Sequence, residues 1–338
     1  MDIYKYIKEY GYKEINTLNE IDALIFARLA YLHFEAIEDK FPLKISDLNN
    51  YLKIMKNNKF DEKLIRLLSL ALRFKNVELI RFQSVLDEVQ EEQFAALTIK
   101  FNEKDLFISY RGTVKSIIAF KEDLNMSYKI VPSQVAALKY LNSEKLLPNL
   151  YLGGHSKGGN LAMYAGINAS LFRRWKIRKI YNFDGPGFLK INDRFNKKKK
   201  KIINFYPEYD IVGQMMYNTF EKRIIKSVKK GIEAHNIYTW KIMSNHFIKG
   251  ILAMDSERFS YANLKVVETL TYHKKKIIID YLFDVLQKNH IKRIHELTLD
   301  NMKRIINDIP SITKEEKEEF IELFKAFIRI AFPIKKSF

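Results

Sequence analysis

Leu150-Tyr151-Leu152-Gly153-Gly154-His155-Ser156-Lys157-Gly158-Gly159-Asn160-Leu161-Ala162 decides the fold. It reads as an apolar strand, a sharp turn and a helix of small residues, with Ser156 at the apex. A serine held there stands clear of a sheet in strained backbone, and the flanking glycines remove side chains that would clash. Gly-x-Ser-x-Gly in this strand–turn–helix setting is the pattern of a nucleophile elbow. A structural turn is the competing reading. The third glycine and the small-residue helix weigh against it.

Working outward, strands and helices alternate. Phe94-Ala95-Ala96-Leu97-Thr98-Ile99 and Leu106-Phe107-Ile108-Ser109-Tyr110 predict a hairpin turning at Asn102-Glu103-Lys104-Asp105. Helices are expected from about Ile117 and after Pro132. Further strands are expected at Lys179–Phe183, Lys201–Tyr206 and Ile224–Val228. Such alternation predicts an α/β fold with a mainly parallel sheet flanked by helices, of the α/β-hydrolase type. Residues 1–90 read as a helical N-terminal region, 91–250 as the catalytic core and 251–338 as a helical C-terminal region. Thr313-Lys314-Glu315-Glu316 predicts a capping box opening a terminal helix, whose apolar face includes Phe320, Leu323 and Phe324.

Composition narrows the classes. The 338 residues are 47% hydrophobic, enough for a full core. With no cysteine, disulfides, thiolate-ligated metals and thiol catalysis are excluded. No secretory pattern opens at Met1, and no run of 18 apolar residues occurs, so a cytoplasmic protein is expected. The net charge of +18 is uneven: residues 151–250 carry 20 Lys and Arg against 6 Asp and Glu. That excess suits attraction of anionic substrates or peripheral contact with an anionic membrane, or is simply a solvated lysine-rich surface. Without zinc spacing or an RNA-binding aromatic motif, no nucleic-acid partner is expected.

A serine hydroxyl needs a base to take its proton and an acid to orient that base. Of seven histidines, His235 and His246 are the candidates for the base. His155 belongs to the elbow itself and reads as packing. His235 follows the last expected strand and keeps the order Ser, acid, His; His246 is the alternative. Asp210 ends one strand and Asp184 ends the one before it. Asp210 is the expected acid and Asp184 the alternative. The Asp184-Gly185-Pro186-Gly187 turn suggests that Asp184, Gly185 and Pro186 shape a substrate loop. Oxyanion donors are expected from the backbone of Lys157 and from Thr113 in Tyr110-Arg111-Gly112-Thr113. No metal or other cofactor is called for.

Phe107–Thr113, Gly154–Ala162, Asp210-Ile211-Val212 and His235 occur in the order seen in class 3 lipases, which the chain resembles. It is closer still to the Mbeg1-like group, which shares the elbow followed by Gly-Asn-Leu-Ala and an acidic stretch like Lys121-Glu122-Asp123-Leu124-Asn125-Met126. The resemblance implies Ser156 as nucleophile, Asp210 as acid, His235 as base and Thr113 with Lys157 as oxyanion donors. Lys157 stands where class 3 lipases usually carry leucine, which puts a charge beside the nucleophile. Phe183–Gly187 lacks the arginine that those lipases often place after the proline. Both departures argue against a neutral triglyceride. The expectation is a serine ester hydrolase acting on a lipid or other acyl ester. The competing reading is an inactive hydrolase-fold module that binds a membrane surface or a protein.

Overall fold

The computed structural model describes residues 1–114, 117–144, 148–190, 199–288, 299–309 and 312–331. Its N-terminal part holds α1 (Ile3–Tyr10), α2 (Glu20–Leu29), β1 (Leu43–Lys44), α3 (Leu52–Met55), α4 (Lys59–Leu70) and α5 (Leu72–Lys75). The central part holds β2 (Glu78–Asp87), β3 (Glu92–Asn102), β4 (Asp105–Tyr110), α6 (Ile117–Asn125), α7 (Pro132–Ser143), β5 (Asn149–His155), α8 (Lys157–Asn168), α9 (Leu171–Lys176), β6 (Ile177–Phe183), β7 (Ile202–Pro207) and β8 (Glu221–Ile225). A hairpin, β9 (Ile242–Met243) and β10 (His246–Phe247), precedes α10 (Met254–Thr269), α11 (Tyr272–Lys288), α12 (Leu299–Asp308) and α13 (Lys314–Ala331).

The eight strands β1 to β8 lie in one sheet in sequence order. β1 to β4 pair antiparallel and β4 to β8 pair parallel. The expected α/β architecture is therefore present. Alternation splits the strands between two cores. Ile108, Leu152, Ile180 and Ile202 face α7 and α8. Phe107, Tyr181, Phe183 and Phe205 face α2, Trp240 and Phe247. The N-terminal helices thus cover the second face of the sheet. They are braced by a bidentate Arg28–Asp61 pair at 2.8 and 2.7 Å and by an Arg73–Asp22 pair.

Residues 78–87, expected to be helical, form strand β2. A register shift between Leu79 and Arg81 marks a bulge there. The extra residue breaks the period of two on which strand recognition depends. At the other end, α13 opens with the expected capping box: Glu316 N donates to Thr313 Oγ1 at 3.2 Å and Thr313 N to Glu316 Oε2 at 2.8 Å. Phe320, Leu323 and Phe324 pack with Val266 of α10 and with Leu270 just after it. Phe259 and Ala326 close over Ile211, beside Asp210. Among the described residues no helix is long and apolar enough to cross a membrane.

Because β4 to β7 run parallel, their carboxyl ends emerge at one edge. The turns after them carry Gly112, Ser156, Asp184 and Asp210 to a common place.

Candidate active site

Ser156 joins β5 to α8 with φ 58° and ψ −136°. A non-glycine residue pays for such backbone, so neighbours must hold it. Ser156 N donates to Phe183 O at 2.9 Å. Close packing under the turn requires glycine: a Cβ on Gly158 would lie 2.1 Å from the Tyr110 carbonyl oxygen. Gly112 answers the same demand from the other loop. Its Cβ would meet Tyr31 Oη at 2.2 Å and the His155 carbonyl oxygen at 2.5 Å, with Ser156 Cβ 3.1 Å away. The loop after β4 therefore passes directly over the serine.

His235 ends a 3-10 turn, Gly231–His235, and its ring stacks beside His155 with centroids 4.4 Å apart. The His155 ring is oriented by its Nε2. That atom lies 2.9 Å from the His235 carbonyl oxygen, so Nε2 carries the proton. Its Nδ1 faces Tyr31 Oη at 3.3 Å, while the Tyr31 hydroxyl donates to the nearer His155 carbonyl oxygen at 2.9 Å. Burial holds the His155 pKa well down, which keeps this ring neutral. His155 is thus a packed platform under His235, as its place in the elbow suggested. His246 sits exposed on the β9–β10 hairpin, with its Nδ1 against its neighbour Asn245.

The acid facing His235 is Asp184. Its Oδ2 accepts from His235 Nδ1 at 2.7 Å. Asp184 also takes positive φ, 54°, so the two strained aspartate and serine positions end adjacent parallel strands. The expectation that Asp210 would orient the imidazole is corrected by this contact. Asp210 stands one strand further on, where its Oδ1 accepts from Gly213 N at 2.9 Å and its Oδ2 from Gln214 Nε2 at 2.7 Å. Gly213 N also reaches Asp184 Oδ1 at 3.3 Å, and the two carboxyls hydrogen-bond each other.

Two adjacent buried carboxyls do not both ionise easily. Burial pushes Asp184 up to about 6. Asp210 is pushed well above the usual range by burial and then by the Asp184 charge. Asp210 therefore holds the proton and donates it toward Asp184, which keeps its negative charge for His235. Burial takes the His235 pKa down to about 4, so the imidazole is neutral at pH 7. With Nδ1–H committed to Asp184, Nε2 is left as the basic nitrogen.

Gly185 and Pro186, expected in a substrate loop, are buried. Gly185 N donates to Asn182 Oδ1 at 2.9 Å, and Asn160 Nδ2 donates to the carbonyls of Pro186 and Gly187. The turn is bolted to α8, and Asp184 within it turns to the imidazole.

The loop after β4 is anchored through two side chains. Arg111 pairs with Glu35 at 2.7 Å and donates to Ser84 Oγ at 2.8 Å. The Thr113 hydroxyl donates to Asp123 on α6. Lys157 departs from expectation. Its ammonium does not stand beside the nucleophile but is fully buried, 2.8 Å from Glu122 Oε2 and 3.0 Å from the Gln93 carbonyl oxygen. The acidic Lys121-Glu122-Asp123 stretch was visible in the sequence; its destination was not. As first residue of α8, Lys157 has a backbone N–H with no acceptor within the helix. Cations of the basic segment, such as Arg178, Lys222, Lys226, Lys229 and Lys230, lie exposed away from this buried acid-rich cluster. Among the described residues no group of three His, Cys, Asp or Glu side chains is placed to hold a metal ion.

A family model described as Mbeg1-like matches residues 68–284. No curated protein matches the chain. Among solved structures, the chain is similar to a structure titled "Crystal structure of M37 lipase", with 18% sequence identity, 59% of this chain and 70% of that chain covered, and a TM-score of 0.39.

Proposed function

The chain belongs to the Mbeg1-like family, and we propose that it is a serine hydrolase cleaving a carboxylic ester of a lipid or other acyl compound. The observation that carries this reading is the strained elbow at Ser156 together with a half-buried, neutral His235 that lies against the elbow's own His155 and is held by Asp184. Ser156 Oγ attacks the ester carbonyl while His235 Nε2 takes its proton. Asp184 holds the imidazole and balances the imidazolium that forms. The backbone N–H groups of Lys157 and Thr113 receive the oxyanion. His235 returns the proton to the leaving alcohol, and water then releases the acyl group from Ser156 by the same steps in reverse order. Asp210 supports Asp184 and touches no reacting atom.

A fluorophosphonate probe tests this directly, because it reports an activated serine without presuming a substrate. Wild type should label, Ser156→Ala should not, and His235→Ala should label far more slowly. Absence of labelling in folded wild type would replace this reading with the binding-module one. A panel of neutral, zwitterionic and anionic acyl lipids then sorts the headgroup.

A further inference from the structure

Lys157 occupies two positions at once. Its backbone follows the nucleophile, and its side chain runs under the turn to the helix that follows the other oxyanion loop. There its ammonium meets Glu122 Oε2 at 2.8 Å, Gln93 O at 3.0 Å, Gln93 Oε1 at 3.3 Å and Asp123 Oδ1 at 3.7 Å. Two short routes lead back from this ammonium to the loop. Asp123 accepts the Thr113 hydroxyl. Gln93 Oε1 accepts the N–H of Val114, the next residue, at 3.4 Å. Glu122 spends its remaining capacity on backbone, accepting Gln93 N at 3.1 Å and Ser133 N at 2.9 Å. The cluster is therefore tied into β3, α6 and the start of α7 at once.

We propose that Lys157 is a positioning residue: its buried ammonium fixes the distance between the two oxyanion donors, its own N–H and that of Thr113, by holding the β4–α6 loop to the elbow. This rests on the serine-hydrolase reading above. A buried ion pair is a poor device for stability alone, since an apolar pair of similar volume holds as well or better. Its advantage is a defined geometry. Leucine in this place would fill the volume and leave the loop free to shift against the nucleophile. A donor displaced by a fraction of an ångström from the developing oxyanion loses much of its effect on the transition state and little on substrate binding.

The experiment compares wild type, Lys157→Met/Glu122→Gln and Asp123→Asn for melting temperature, for kcat and KM on a soluble short-chain p-nitrophenyl ester, and for phosphonylation rate. The double variant removes both partners of the 2.8 Å ion pair and leaves Asp123, which still accepts the Thr113 hydroxyl. Asp123→Asn leaves the Lys157–Glu122 pair intact and weakens only its link to Thr113. The expected result is kcat and phosphonylation slowed at least tenfold in the double variant, with KM within about twofold and melting near wild type. Asp123→Asn should show the same split at smaller size. A folded variant of either kind that reacts within twofold of wild type overturns the proposal. So does a parallel loss of kcat, KM and melting temperature in both, which would make the cluster structural only. Wild type that fails to react with the probe overturns the hydrolase reading, and this one with it.

Discussion

Two buried charged clusters flank Ser156, and they are built on opposite plans. On the side of β6 and β7, Asp184, Asp210 and His235 contain no cation, and a proton is shared between the two acids. On the side of β4 and α6, Glu122 and Asp123 are matched by the ammonium of Lys157. The first cluster is a place where a proton can move at small cost. The second sets an ammonium between two carboxyls, of which Asp123 is itself raised to about 6 by burial. In the proposed mechanism the difference separates a side that performs proton transfer from a side that holds a shape, with Ser156 between them.

The most direct way to break this comparison is to neutralise each acid of the first cluster in turn. Asp184→Asn should lower kcat by about a thousandfold or more, since loss of the orienting carboxylate in a triad has an effect of order 10⁴. Asp210→Asn should stay within a few-fold of wild type, because an amide can accept from Gly213 or donate to Asp184 much as a protonated carboxyl does. The reverse ranking in kcat would restore Asp210 as the acid and refute the hydrogen-bond geometry seen here.

A smaller effect sharpens the same point through pH. In the proposed mechanism the active form has Asp184 ionised and His235 neutral. Asp184 is raised to about 6 by burial and His235 lowered to about 4, so the acid limb of kcat/KM follows Asp184 and falls as pH drops through about 6. Stability need not follow. A raised Asp184 pKa contributes stability that is complete below its unfolded value and lost as pH rises through about 6. A depressed His235 pKa contributes stability present above its unfolded value and lost as pH falls toward about 4. The two run in opposite directions between pH 6 and 4, so activity should fall about tenfold by pH 5 in protein that remains folded by circular dichroism. Asp210→Val, which removes a donor to Asp184, should move the acid limb upward by several tenths of a pH unit and leave its shape unchanged.

Much of the fold was legible in the chain. β4, β5 and β7, and β6 after Lys179, are largely buried on both faces and rich in apolar residues, and Gly154-His155-Ser156-Lys157-Gly158 marked the elbow. β2 was hidden by the bulge between Leu79 and Arg81. The choice of acid was harder, for a geometric reason. Asp184 and Asp210 end neighbouring parallel strands, which lie only about 4.8 Å apart, so strand order alone allows either to reach the histidine. What separates them is the positive φ of Asp184 together with a bond across 51 residues. The fate of the Lys157 side chain was likewise out of reach, since Glu122 lies 35 residues away in sequence. Sequence motifs marked where chemistry was required; the direction of each side chain came from long-range contacts.

The smallest effect tests whether the N-terminal helices belong to the site at all. Tyr31 follows α2, yet its hydroxyl lies 2.9 Å from the His155 carbonyl oxygen and 3.3 Å from His155 Nδ1, with Arg28 4.7 Å from the centre of its ring. The His155 ring in turn carries His235. Tyr31→Phe keeps the ring and deletes the bond to the His155 carbonyl, so stability should fall by about 1 kcal/mol, the usual net worth of a hydrogen bond. Loss of that bond loosens the backbone that carries the His155 platform, so kcat should fall a few-fold while KM holds. Melting curves and ester kinetics on the one variant separate the two effects. A drop in stability with kcat unchanged would mean that the His235 carbonyl alone suffices to hold His155. The helices over the second face would then cover the sheet without tuning the base. A drop in kcat as well would make the region before β2 part of the catalytic machinery, acting through one buried neutral ring.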